Sequence, residues 1–595
     1  MATNPQHLAA VRGELKRQNL DGFIIPLTDE HMSEYVGDYA QRLAWVTGFT
    51  GSAGNAVVLT DSAAIFIDGR YTIQVAEEVD DTHIERHHFE TYPLLSWIKD
   101  KSKNGARIGY DPELTTIMWE EKAAAAFKGT DVTLVTVDKN PIDAVWGEQP
   151  DASLAKVFAQ PHEYAGETHD EKRTKIAASL KEKGADAAVI TMLDSVAWSL
   201  NIRAADVKNT PVPHAFAILD AEEQATLFVD ERKVDDALRL HLGNKVRLEP
   251  RTAFYSELET LGKAGKKILV DPNSNNAKVF KTLSSAGATL IEGQDPCILP
   301  KACKNKTEQQ GSRDAHIRDG AAICEFLYWL EGEAPKGTLD ELGAAAKLLK
   351  FRQKRDLLRG ISFNTISGAG PNGALCHYKV SESSNRKLEM NTIYLVDSGG
   401  QYLDGTTDIT RTVIIGTPTD EMKDRFTRVL RGHIALSTTR FPKGTGGMML
   451  DSIARRPLWE AGLDYDHGTG HGVGSYLAVH EGPQRIAKFG TTVPLEAGMI
   501  LSNEPGYYKE GEYGIRIENL VLVKESVGDY ERTMFEFENL TWAPIDRNLI
   551  EASVLNSIEL KWLNEYHATV YRKLVALVDT KTKAWLEKAT APITA

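Results

Sequence analysis

Four carboxylates and one histidine in the C-terminal half of the chain, Asp397, Asp408, His471, Glu504 and Glu518, each occupy a setting that suits a metal ligand. Asp397 ends the apolar run Ile393-Tyr394-Leu395-Val396, and Asp408 opens another from Thr410 to Ile415, with Gly399, Gly400 and Gly405 between them. That pattern predicts a β-hairpin with an aspartate on each arm. His471 lies in a glycine-dense stretch, 467 to 474, where absent side chains let backbone and substrate come close. Glu504 and Glu518 close two further strand-like segments, Met499 to Ser502 and Ile515 to Val523.

Oxygen-rich ligation with a single imidazole suits Mn²⁺ first, with Co²⁺ or Zn²⁺ as alternatives, whereas a structural zinc site draws on thiolates or more histidines. Four carboxylate charges neutralise two divalent cations. Carboxylates also bridge metals about 3.5 to 4 Å apart, a separation that clamps a nucleophilic water against a substrate oxygen. Arg516 offsets the extra charge of a bridging hydroxide, since residues 516 and 518 share one face of a strand. Taken singly, a strand-ending Asp reads as a turn former. Asp397 and Glu504, however, interrupt runs that read as buried, and buried carboxylates are rarely left unpaired.

The elements that must position these residues belong to a chain of 595 residues, too long for one core, which implies three or four domains. Lys and Arg total 69 against 83 Asp and Glu, a net charge of −14 without a basic cluster, which disfavours nucleic acid and anionic membranes as partners. The four cysteines form no Cys-x-x-Cys pair and are expected as free thiols in a reducing cytoplasm. Cys376-His377 is not read as a nucleophile pair, because the metal site already supplies one. Neither a basic-then-apolar N-terminal segment nor a run of about 18 apolar residues is present, so export and membrane insertion are not expected.

Residues 8 to 71 run from a helix (Leu8, Val11, Leu15) through the strand Phe23-Ile24-Ile25 and Leu43-Ala44-Trp45 to Phe66-Ile67-Asp68. Residues 174 to 230 repeat this order with Ala187 to Ile190, Val196-Ala197-Trp198 and Leu227 to Asp230, which implies two similar α/β domains in tandem. Proline-marked stretches near 141 to 161 and 296 to 306 separate the copies from each other and from a third domain. The expected boundaries are 1–155, 156–305 and 306–595. Helices are predicted from Glu308, over Met422 to Ser437 and along Ile558, Trp562, Tyr566, Val570 and Leu574, with His433 at the surface or in a cap.

The segments Tyr394 to Gly399, Asp404 to Thr412, His467 to Gly474, Val479-His480-Glu481-Gly482-Pro483, Asn503 to Tyr508 and Gly514 to Asn519 resemble those of aminopeptidase P. This is the Xaa-Pro aminopeptidase branch of the pita-bread metallopeptidases, and the likeness is strongest to its large, three-domain cytosolic form. The resemblance implies an α/β (α+β) fold of two tandem creatinase-like N-terminal domains followed by a pita-bread catalytic domain. It further implies a cytoplasmic homodimer acting on peptides with proline at position two.

The resemblance also orders the site: Asp397 and Asp408 on one ion, His471 and Glu504 on the other, Asp408 and Glu518 bridging, and a bridging hydroxide attacking the scissile carbonyl. Glu504 then relays a proton to the departing proline nitrogen. His377, His467 and His480 line the site, where neutral imidazole can donate to an oxyanion and pack against a prolyl ring. Arg70 would reach the longer peptide product, and Trp459 would stand near a dimer contact. Prolidase, restricted to Xaa-Pro dipeptides, is the principal alternative; the duplicated N-terminal half argues against it. A non-catalytic pita-bread protein is disfavoured because all five ligands are present.

Overall fold

Phe23-Ile24-Ile25 and Ala187-Ala188-Val189-Ile190, the two runs read as equivalent buried strands, are each the centre of a six-stranded sheet. In the computed structural model, which describes residues 4–594, the first sheet runs Glu85–His88, Ala63–Ile67, Asn55–Leu59, Gly22–Pro26, Arg107–Tyr110, Thr133–Thr136. The second runs Val246–Glu249, Ala225–Phe228, Phe216–Asp220, Ala187–Ile190, Lys267–Val270, Thr289–Glu292. Pairing directions match strand for strand: the centre strand is antiparallel to its predecessor in the order and parallel to its successor in both sheets. The repeated Ala-Trp pairs also fall on equivalent short helices, Arg42–Thr47 and Leu193–Ser199. Leu8, Val11 and Leu15 of helix Pro5–Arg17 close one face of the first sheet, in one core with Phe23, Ile25 and Val58. Both sheets belong to one compact unit, which extends to Pro161 and resumes over Glu167–Ile298.

The second unit, His162–Gly166 with Leu299–Ala595, begins its main run with the 28-residue helix Lys306–Glu333. Asn305 starts that helix through a capping box with Glu308, which satisfies otherwise orphaned backbone donors. Two antiparallel sheets carry the chemistry-bearing residues. One has three strands, Ile366–Ala369, Thr392–Ser398 and Ile409–Ile415; the other has six, in the order Arg440–Pro442, Met534–Asn539, Asn519–Glu525, Ile500–Asn503, Gly470–Gly472, Glu481–Ile486. Helices Asp420–Ser437 and Ser557–Leu574 bury Phe426, Val429, Ile434, Leu563, Tyr566 and Val570 in a shared core. All four cysteines are free thiols, as expected.

Three local expectations fail. His433 is fully buried, with 0% exposure, because its helix lies against the strand that ends at Asn503, and its Nδ1 pairs with the Asn503 carbonyl at 3.1 Å. Ile558 is 73% exposed, while Leu563 and His567 take inward places on that helix. The segment Ile515 to Val523 is not one strand. Tyr513–Arg516 pairs with Gly506–Lys509 and Asn519–Glu525 with Ile500–Asn503, so the chain changes partner at Ile517 and Glu518.

Candidate metal centre

The predicted hairpin forms: Thr392–Ser398 pairs with Ile409–Ile415, Asp397 opposite Thr410. Asp408 sits one residue ahead of the second arm, so both aspartates lie at its turn end. Gly399 is required there, because a Cβ would stand 1.9 Å from the Thr407 carbonyl oxygen. Across from this hairpin, the Glu518 amide donates to the Thr410 carbonyl at 3.2 Å, and Thr412 Oγ1 donates to the Arg516 carbonyl at 2.9 Å. These bonds hold the strand break at 517 and 518 against the hairpin and turn Glu518 toward the aspartates.

Ligand atoms of Asp408, His471 and Glu518 all lie within 4.8 Å of one another. His471 Nε2 is 3.5 Å from Asp408 Oδ2 and 3.6 Å from Glu504 Oε1. Arg516 Nη2 donates to Asp397 Oδ2 at 2.7 Å, and its Nε donates to Thr410 Oγ1 at 2.9 Å. Thr410 Oγ1 in turn donates to Glu518 Oε2 at 2.7 Å, so one guanidinium orients a carboxylate on the hairpin and another at the strand break. The five residues predicted as ligands are therefore gathered, with Arg516 at their side; the same-face argument for Arg516 fails at the strand break, but its proximity stands.

The donor set fits divalent cations on three observations. Asp397 Oδ1 and Asp408 Oδ1 are buried without a hydrogen-bond partner, a costly state unless a cation takes them. His471 Nδ1–H donates to the Gly472 carbonyl at 2.9 Å, which fixes the tautomer that leaves Nε2 a lone pair for a metal. Burial pushes the Asp408 and Glu518 carboxyls well above the ordinary carboxylate range, and their acidic neighbours, Asp397 for Asp408 and Asp408 for Glu518, push the same way. Protons substitute for cations in such a cluster, and metal uptake displaces them.

Of the three histidines, His467 donates from Nδ1 to the Gly468 carbonyl at 2.8 Å and accepts at Nε2 from the Tyr508 hydroxyl at 2.8 Å. Tyr508 also accepts from Arg516 Nη1 at 2.6 Å. The His480 ring meets His471 edge-on, with centroids 4.3 Å apart. His377 follows Cys376, whose carbonyl accepts from Arg516 at 3.3 Å. Trp459 is not one of the buried side chains of the cluster; it stands 46% exposed at the end of helix Met448–Trp459. Arg70 belongs to the N-terminal unit, where it pairs with Asp68 at 2.7 Å and lies over the Tyr71 ring.

Sequence reasoning gave no role to Thr410, Tyr508 or Ser502. Ser502 Oγ accepts from the His471 amide at 2.9 Å and donates to Glu504 Oε1 at 3.0 Å, which ties a proposed ligand's backbone to another ligand's carboxylate. Thr410 carried a signal, since it lies two residues after Asp408 on a strand. Ser502 likewise lies two residues before Glu504, but its bond to the His471 amide crosses between strands and carried no signal. The Gly470 Cα faces the Ser502 carbonyl so closely that a Cβ would stand 2.0 Å away. Gly470→Ala is expected to cost about 1–3 kcal/mol, as overpacking does, seen as a lower apparent Tm, and to weaken metal retention by parting His471 from Glu504.

The profile of metallopeptidase family M24 matches residues 310–525, and that of the C-terminal region of peptidase M24 matches 533–593. Creatinase/Prolidase N-terminal domain profiles match 7–144 and 148–308. A probable Xaa-Pro aminopeptidase P of Laccaria bicolor is 42% identical over 99% of this chain and 93% of its own length. One of Aspergillus niger is 40% identical over 99% and 98%. An X-prolyl aminopeptidase of Caenorhabditis elegans, described as a cytosolic enzyme with a di-nuclear active site, superposes with a TM-score of 0.95 at 34% identity, covering 100% of both chains. The two matched six-stranded sheets are thus creatinase-type domains, the catalytic part is a pita-bread domain, and the chain belongs to metallopeptidase family M24, in its aminopeptidase P group.

Proposed function

We propose that this metallopeptidase releases the N-terminal residue from peptides with proline at position two, using two divalent ions held by Asp397, Asp408, His471, Glu504 and Glu518. The observation that carries the reading is the convergence of these five side chains with buried, unpartnered oxygens on Asp397 and Asp408. The names of the fungal relatives and of the nematode structure support the substrate class. The ions, Mn²⁺ first with Co²⁺ or Zn²⁺ as alternatives, would supply an activated water at neutral pH and polarise the scissile carbonyl.

The protein groups do the rest. Glu504, steadied by Ser502, takes the proton of the attacking water and delivers it to the proline nitrogen, which must be protonated to leave. His480 and His377 donate to the oxygen on which charge develops, and His467, held in place by Gly468 and Tyr508, offers a flat face to the prolyl ring. Arg516 offsets the anionic excess and keeps Asp397 and Glu518 aimed. An Xaa-Pro bond lacks the N–H that most peptidases engage, so a site that recognises the ring in place of a donor suits it. Arg70 is proposed to contact longer peptide products.

A homodimer in the cytoplasm completes the proposal. Helix Met448–Trp459 supports it by exposing a large apolar side chain near each end, Met449 to 67% and Trp459 to 46%. Sedimentation should therefore give twice the chain mass. Among the described residues, no helix is long and apolar enough to cross a membrane.

Substrate choice tests the reading. Mn²⁺-loaded protein should release Xaa from Xaa-Pro-Yaa and longer chains, stop after one residue, spare Xaa-Ala-Yaa, and fail on substrates with a blocked α-amine. A product trace showing hydrolysis of Xaa-Pro dipeptides alone would transfer the assignment to prolidase. No hydrolysis of any of them would leave a non-catalytic binder.

A further inference from the structure

Arg455 is 1% exposed, yet none of the chemistry above uses it. It lies on helix Met448–Trp459, and four of its five N–H donors reach named acceptors. Nε donates to Asp451 Oδ2 at 2.6 Å, Nη1 to Asp464 Oδ1 at 2.9 Å and to the Tyr465 carbonyl at 2.6 Å, and Nη2 to the His467 carbonyl at 2.7 Å. The guanidinium carbon also stands 3.8 Å from the centroid of the Tyr465 ring, which itself packs against His467 at 4.8 Å.

From the other end, Thr469 Oγ1 donates to Asp451 Oδ1 at 2.6 Å and accepts from the Tyr465 hydroxyl at 2.5 Å, while the Thr469 carbonyl accepts from the Glu504 amide at 2.9 Å. The backbone on both sides of His467 is thus clamped to one buried Arg-Asp pair. Segment 467 to 470 contains two glycines and no helix, so beyond the ring's bond to the Gly468 carbonyl its own local structure does little to fix the backbone that carries the imidazole.

We propose that Arg455 is a positioning residue for the proposed peptidase reaction, acting through the His467 backbone, with Asp451 and Thr469 as its lower jaw. The inference rests on the functional reading given above, in which His467 faces the prolyl ring. A planar five-donor fork is the group that can satisfy two carboxylates and two carbonyls at once; an ammonium on a flexible stem cannot. Small displacements of a substrate-positioning group cost rate well out of proportion to the distance moved.

A double-mutant cycle with Mn²⁺-loaded protein and an Xaa-Pro-Yaa peptide tests this. Arg455→Lys should lower kcat/KM about tenfold in the native background but less than twofold in His467→Ala, with metal content near that of the parent and a drop in Tm that is the same in both backgrounds, since buried acceptors lose their donors in each. Equal losses in both backgrounds, or no loss in either, would overturn the proposal. If Arg455→Lys does not fold, the near-isosteric Thr469→Val replaces it in the same cycle, with a smaller loss that must likewise vanish in His467→Ala. The ¹⁵N signals of the His467 ring, assigned by their absence in His467→Ala, read its placement without turnover and should shift in Arg455→Lys or Thr469→Val. If the parent protein cleaves no proline-containing peptide, the functional reading fails, and an unchanged His467 signal in these variants would separately sink the positioning role.

Discussion

Asp408→Ala and Glu518→Ala should each abolish metal-dependent hydrolysis and lower the metal retained after dialysis. Each residue is proposed to serve both ions, so losing either loosens the whole pair. Neither should unfold the protein. Without cations these two carboxyls sit buried among like charges, which is why both resist ionisation. Removing one relieves repulsion while leaving a modest cavity, and the two N-terminal sheets belong to a different compact unit. The apo Tm should therefore stay close to that of the parent. What should vanish is the rise in Tm on adding Mn²⁺, because a ligand stabilises the folded state only as far as it binds it. Metal analysis, a thermal scan with and without Mn²⁺, and a rate measurement decide the matter together. Full activity in a metal-free preparation would end the dinuclear reading.

His480→Ala and His377→Ala are expected to lower kcat by about 10²-fold or more, the effect of removing one oxyanion donor elsewhere, with metal content barely changed. His471→Ala should behave differently. It removes a proposed ligand whose Nδ1–H is committed to the Gly472 carbonyl and whose Nε2 faces Asp408 and Glu504, so rate and metal occupancy should fall together. The comparison is sharp because the His471 and His480 rings touch, at 4.3 Å between centroids, and so share nearly the same surroundings. If both donor variants keep near-normal kcat, these histidines are ordinary side chains of the pocket wall. If they lose metal as readily as His471→Ala, the ligand set must be redrawn.

Much of this protein was legible from residue order. Apolar runs interrupted by an aspartate forecast the hairpin of Asp397 and Asp408, since period and turn glycines are local properties. The repeated order around Phe23 to Ile25 and Ala187 to Ile190 forecast two like sheets, although their common strand order needed the structure. Residue type alone pointed to oxygen-rich metal ligation. Errors fell where a local pattern met a distant partner. His433 looked like a surface residue because nothing nearby in sequence announces that its helix lies on the strand ending at Asn503. The segment Ile515 to Val523 looked continuous because its apolar alternation is, yet Gly506–Lys509 and Ile500–Asn503 compete for its two halves.

The sequence by itself thus determined the residue types of the proposed ligands, the apolar strands beside them and the duplicated N-terminal architecture, because hydrophobic period, turn chemistry and side-chain charge act over a few residues. Only the tertiary structure decided how the ligands are held. Thr410 joins Arg516 to Glu518, Ser502 joins His471 to its near neighbour Glu504, and Arg455 grips the backbone of His467; the Thr410 bonds, the His471–Ser502 bond and the Arg455 bond, all under 3.1 Å, link elements that adjoin only in the folded chain. Hydrogen-bond geometry of this kind depends on strand register and close approach, which the order of residues does not display.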